Sequence, residues 1–113
     1  MHEVSLAVQL VELAEKAARA VDATRVKTVV LKIGALSGVA EEALRFSYDI
    51  ATAGTLLAGS RLDVLPIPVT VHCRCCGDME LSNMLDIRCP RCQLPTSDIR
   101  TGRELDLESI EVE

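Results

Sequence analysis

Polar residues recur at steps of three and four from Val4 to Val21, at Ser5, Gln9, Glu12, Lys16 and Arg19. That spacing is helical. It gathers the polar groups on one stripe and leaves Leu6, Val8, Leu10, Val11, Leu13, Ala14, Ala17 and Val21 to pack on a core. A helix over residues 4–21 is predicted, ended by Asp22-Ala23-Thr24. From Arg25 to Ile33 the β-branched content rises (Val26, Thr28, Val29, Val30, Ile33), which predicts a strand. Arg25, Lys27 and Lys32 solvate its ends, and Gly34 and Ser37-Gly38 punctuate a turn.

A second helix is expected from about Ala40 to Ala53. Glu41 and Glu42 in its first turn suit the positive end of the helix dipole, and Gly54 follows as a C′ residue. Leu44, Ser47, Tyr48 and Ala51 share one face. Between Arg61 and Val69, Leu62 and Val64 alternate with Arg61 and Asp63 before Pro66 and Pro68 remove ladder donors. This segment reads as an edge strand that must leave its sheet. After Gly102 the chain alternates again, Leu105 and Leu107 and then Ile110 and Val112. The phase slips across Glu108-Ser109, which predicts a bulge in a strand returning to the first sheet.

The chain has 113 residues, enough for one modest domain or a small core with a metal-stapled lobe. Phe46 and Tyr48 are its only aromatics, so the interior must be built from Val, Leu, Ile and Ala. A net charge of −5 and the lack of stacking residues argue against nucleic-acid binding by the whole domain. Arg74, Arg88, Arg91, Arg100 and Arg103, near the cysteines, are the one local exception, and read as a solvated patch. No apolar run approaches the ~18 residues of a membrane span. The start lacks the basic n-region of an export signal, so a reducing cytoplasm is expected.

Four of the five cysteines form two pairs, Cys73-Arg74-Cys75-Cys76 and Cys89-Pro90-Arg91-Cys92. Each pair reads as a knuckle that brings two thiolates to a common point, and two knuckles make a tetrahedral S4 site suited to zinc. Cys73, Cys76, Cys89 and Cys92 are the candidate ligands. A closed S4 site offers no open coordination position, so the zinc is expected to be structural. Two disulfides are the competing reading, which a reducing compartment disfavours. Cys75 lies inside the first knuckle, either as a free thiol or as a competing ligand. His72, beside that knuckle, is a surface residue, an alternate zinc ligand or a nickel donor.

Met1-His2-Glu3 offers different chemistry. A free α-amine, the amide nitrogen of His2 and its imidazole can chelate one ion, with the Glu3 amide or carboxylate as a further donor. Nitrogen-rich square-planar sites suit Ni(II) or Cu(II). A solvent-exposed terminus, with Glu3 favouring the start of the first helix, is the plainer reading of these residues.

The start Met1-His2-Glu3-Val4-Ser5-Leu6, the turn Ile33-Gly34-Ala35-Leu36-Ser37-Gly38-Val39, the paired knuckles and the closing Glu104-Leu105-Asp106-Leu107 with Ile110-Glu111-Val112 together resemble the HypA/HybF nickel metallochaperones of [NiFe]-hydrogenase maturation. The resemblance covers essentially the full length. It implies an α/β fold with two helices on a three-stranded mixed sheet: a nickel domain of residues 1–69 plus 100–113 and an inserted zinc lobe of 70–99. It makes His2 the principal nickel ligand, completed by Met1 and Glu3, and makes the four paired cysteines the zinc ligands. It implies delivery of nickel to the hydrogenase large-subunit precursor, work with a HypB-type GTPase and, for some members, service to urease maturation proteins. A monomer or homodimer and no enzymatic activity are expected. Cys75 inside a knuckle, and Gln93 where a glycine often follows the second one, depart from the family pattern.

A zinc-ribbon interaction module without a nickel role is the alternative from another class, and steep salt-dependent binding to nucleic acid would favour it. No nucleophile–base pair suggests an enzyme.

Overall fold

The computed structural model describes residues 3–81 and 87–113; Met1 and His2 of the expected nickel site lie outside them. The first amphipathic segment forms α1, Glu3–Ala20, which buries Leu6, Ala7, Leu10, Val11, Ala14 and Ala18. Its polar stripe faces solvent as expected. The buried arc is narrower than the apolar one, however: Val8, Leu13, Ala17 and Val21 are exposed. The eight expected positions wrap more of the helix than one packing face can cover, and the buried face takes in Ala7 and Ala18, which the periodicity does not single out.

The strand-forming segment is β1, Val26–Gly34, with Val26, Thr28, Val29 and Leu31 buried. The second helix, α2, runs Glu41–Thr52. Ala40 gives it no side-chain cap, so Glu41 and Glu42 supply the negative charge that its first turn favours. Beyond the C-cap Ala53, Gly54 takes the left-handed conformation, φ 75°. Leu44, Ser47, Tyr48 and Thr52 form its buried face, and Ala51 is half-buried. The Tyr48 ring is 1% exposed, and its hydroxyl lies 2.6 Å from Ser60 Oγ. Burial pushes the phenol above its usual pKa, and the Ser60 hydrogen bond opposes that.

β1 is the middle strand of a sheet ordered β2-β1-β6, with β2 at Arg61–Ile67 and β6 at Leu105–Val112. The Ala35 amide donates to Ile67 O, joining the C-terminal ends of β1 and β2, which therefore run parallel. Gly34 N donates to Glu104 O and Glu113 N to Arg25 O, so β6 runs antiparallel and the sheet is mixed. β2 is an edge, as Pro66 requires. Along β6 the half-buried positions change parity between Leu107 and Ile110, where the alternation slips.

The chain divides into two units. Met1–Lys32, Gly38–Leu65 and Asp106–Glu113 make up the first, with both helices and most of this sheet. The second comprises Ile33–Ser37 and Pro66–Leu105. It has its own antiparallel sheet, ordered β4-β3-β5: β3 (Thr70–Cys73), β4 (Gly77–Glu80) and β5 (Ile99–Thr101). Val69, Val71 and Leu81 form its core, with Leu36, Met79, Ile87 and Ile99 packed on them. The turn that carries part of the family resemblance passes here against the backbone of 102–104. Leu36 N donates to Gly102 O at 2.6 Å, and a Cβ on Gly34 would overlap the Gly102 carbonyl and come within 2.6 Å of Arg103 N. Only glycine permits that approach.

Candidate metal centre

β3 and β4 are joined by the first knuckle. Their register pairs Cys73 with Gly77, so Cys73 leaves the sheet as the turn begins and Cys76 returns just before it resumes. The second knuckle closes through two bonds of 2.9 Å, Cys89 N to Leu94 O and Gln93 N to Cys89 O.

The two turns are built alike. The residue after each second cysteine is left-handed: Gly77 at φ 79° and Gln93 at φ 65°. The amides two and three positions beyond each first cysteine donate to its sulfur, Cys75 and Cys76 to Cys73, and Arg91 and Cys92 to Cys89. This inward turning of backbone N–H groups stabilises thiolate at the first position of each knuckle.

The knuckles face one another. The Sγ atoms of Cys73, Cys76, Cys89 and Cys92 all lie within 4.8 Å of one another, and Cys73 Sγ is 3.4 Å from Cys92 Sγ. Four sulfurs held by zinc at about 2.3 Å would be about 3.8 Å apart, inside that range. Cys73 and Cys89 are buried, Cys76 is half-buried and Cys92 is exposed. The proton affinities divide accordingly. Backbone amides lower Cys89 to about 6 and also lower Cys73. Burial, then hydrogen bonds with the neighbouring thiols, push Cys76 up to about 12. Cys92 is raised too: the Leu94 amide opposes the shift, but the Cys73 contact and burial outweigh it. Four thiols converging on one point cannot all ionise without a cation, and a divalent ion removes that conflict. The donor set therefore fits a closed tetrahedral zinc site, and among the described residues it is the only such cluster of metal-binding side chains.

Cys75 is exposed and is not part of the cluster. His72 is not part of it either: its Nδ1 lies 2.8 Å from Asp78 Oδ1, across the β3–β4 pair. Glu3 is the first residue of α1 and is half-buried. Of the arginines near the knuckles, Arg100 is held by Asp98 at 2.9 Å, which reduces the free positive charge there. No described helix is long and apolar enough to cross a membrane. The sequence did not disclose the amide–sulfur bonds, because they depend on backbone direction. The left-handed residue after each knuckle did leave a trace, a glycine in one and Gln93 in the other.

A family model described as "Hydrogenase/urease nickel incorporation, metallochaperone, hypA" matches residues 1–112. A hydrogenase maturation factor HypA of Roseiflexus sp. (strain RS-1) is 43% identical over 114 residues, covering 100% of this chain and 93% of that protein. Another, from Chloroflexus aurantiacus, is 46% identical over 112 residues, covering 98% of each. Among solved structures, the Ni metallochaperone HypA from Helicobacter pylori superposes with a TM-score of 0.70 at 24% identity, covering 99% of this chain and 97% of that one. That likeness concerns the fold.

Proposed function

The chain belongs to the HypA family of nickel metallochaperones for hydrogenase maturation, and from that premise we propose that nickel is carried at Met1-His2-Glu3 while Cys73, Cys76, Cys89 and Cys92 hold a structural zinc. The protein is not an enzyme; its task is to bind an ion and give it up.

One observation supports the terminal assignment: the family match described as nickel incorporation runs over residues 1–112 and so takes in Met1-His2-Glu3. The positive end of the α1 dipole opposes any cation placed there. Retention must then come from deprotonated amides, the α-amine and the His2 imidazole, all of which acid reverses. A terminal site of that kind imposes few constraints and can surrender its ion donor by donor. The zinc cluster differs in each respect, since its four thiol donors are fixed by two folded turns.

The division of labour follows the chain. The part that bears α1 and α2 handles nickel, and the cysteine-bearing part, the insert expected at about 70–99, holds the zinc. The recipients are maturation partners of hydrogenase or urease. We assign a HypB-type GTPase and the hydrogenase large-subunit precursor as the direct ones, with urease maturation proteins as further clients, in the cytoplasm. His2→Ala tests the assignment: specific nickel binding is lost while zinc content and thermal unfolding are unchanged. A variant that keeps nickel, or loses zinc, contradicts it.

A further inference from the structure

The outward face of α2 is apolar. Phe46 and Ile50, one turn apart, are 70% and 62% exposed, and Ala43 and Ala53 extend the same stripe, also exposed. The buried residues Leu44, Ser47, Tyr48 and Thr52 occupy the opposite side, so this stripe is not the margin of the core-facing surface. An exposed helix pole ordinarily carries charged or polar groups, and the only phenylalanine of the chain is here instead. A bland account exists for the pair alone, since i,i+4 apolar contacts support a helix by a few tenths of a kcal/mol. That account does not explain why the largest apolar side chain is left in water.

The charges beside the stripe limit what can cover it. Glu42 and Asp49 are exposed along one flank, and neither meets a cation in any recorded ion pair among the described residues. The nearby Arg45 is already engaged, with Glu41 at 3.2 Å and with the Leu62 carbonyl at 2.6 Å. The flank is therefore acidic, on a chain of net charge −5. A second copy of this chain is a poor occupant. Two-fold antiparallel pairing of α2 with itself would place each acidic flank beside its own counterpart. The stripe is also small: two large side chains and two alanines fall well short of the roughly 800 Å² per partner of a stable interface.

We propose that the Ala43–Phe46–Ile50–Ala53 ridge of α2 is a transient docking surface for a maturation partner that presents an apolar cleft bordered by Lys or Arg. Phe46 is the anchor of this contact, and Glu42 and Asp49 set orientation and association rate by pairing with the basic border. This rests on the reading that the carrier meets a protein recipient, and adds where it does so.

The test uses the full zinc-loaded chain, with a HypB-type GTPase and a hydrogenase large-subunit precursor from the same organism as probes. Affinity is measured for the native chain, for F46S/I50S and for E42K/D49K, at low and high salt. The first pair should weaken binding of at least one probe by about tenfold or more. The second should weaken the same probe chiefly at low salt, with nickel and zinc stoichiometry and thermal unfolding unchanged in both. Native affinity of both variants for both probes overturns the docking face alone. So does a self-association that the variants abolish while probe binding persists. A native chain that binds neither probe contradicts the recipient reading, and the docking face falls with it.

Discussion

Cys73 Sγ and Cys92 Sγ lie 3.4 Å apart, although they belong to different knuckles and one is buried while the other is exposed. The contact joins the end of β3 to the second turn, so a metal held there ties together two turns far apart in the sequence. Cys89→Ser should remove one buried donor and release the zinc. Zinc content by emission spectroscopy should fall well below one equivalent, and the melting of the cysteine-bearing unit should broaden or shift down by several degrees. Unchanged zinc and unchanged melting would remove the structural role.

The split proton affinities give a pH dependence with a definite sign. Near pH 7.5 Cys89, lowered to about 6, is already a thiolate, whereas Cys76, at about 12, and the raised Cys92 retain their protons. Zinc binding should release fewer than four protons, measurable by calorimetry in buffers of different ionisation enthalpy. Without metal, the stabilisation from Cys89 is complete above the ordinary thiol value of 9.0 and is lost as pH falls through about 6. That from Cys76 is complete below 9.0 and is lost as pH rises towards about 12. The contribution of these two thiols to the stability of the metal-free chain should therefore peak near pH 9. A release of four protons, or a stability that climbs steadily to pH 11, would contradict this arrangement.

Gln93 holds the left-handed conformation that Gly77 holds in the other knuckle. A side chain costs about 1 kcal/mol there, partly recovered through the entropy glycine loses on folding. Gln93→Gly should stabilise the zinc-loaded form by roughly 0.5 kcal/mol, read from denaturant unfolding. A clear destabilisation would mean that the weak Gln93 Nε2 bond to Pro90 O, at 3.4 Å, outweighs the backbone strain.

Gly34→Ala should act in the opposite direction. Its methyl would meet the Gly102 carbonyl and the Arg103 nitrogen, and backbone cannot swing aside as a flexible side chain can. A loss of about 2–3 kcal/mol is expected, as for other overpacked sites, measured by urea unfolding. A neutral result would show that the 33–37 turn and the 102–104 segment can separate at little cost.

Sequence periodicity located α1, β1, α2 and the change of phase in β6 because each is long enough for a repeat to show. Pro66 disclosed an edge strand for a covalent reason, and the cysteine spacing disclosed the cluster. The second sheet was not legible in the same way. Thr70–Cys73 and Gly77–Glu80 are four residues each, too short for alternation to be distinctive, and their pairing is imposed by the knuckle between them. The sequence grouped Leu44, Ser47, Tyr48 and Ala51 on one face of α2 without disclosing that this face is the buried one. Leu44 and Tyr48 are buried while Phe46 and Ile50 are not, and hydrophobicity alone does not say which side meets the core.

The most direct test is a nickel titration of zinc-loaded protein with its native Met1 terminus, beside the same protein extended by a few residues. Terminal carriage predicts about one zinc in both forms, with specific nickel binding in the native form alone, lost steeply as pH falls below neutrality. Equal nickel binding by both forms would place the nickel site away from Met1-His2-Glu3 and contradict the account.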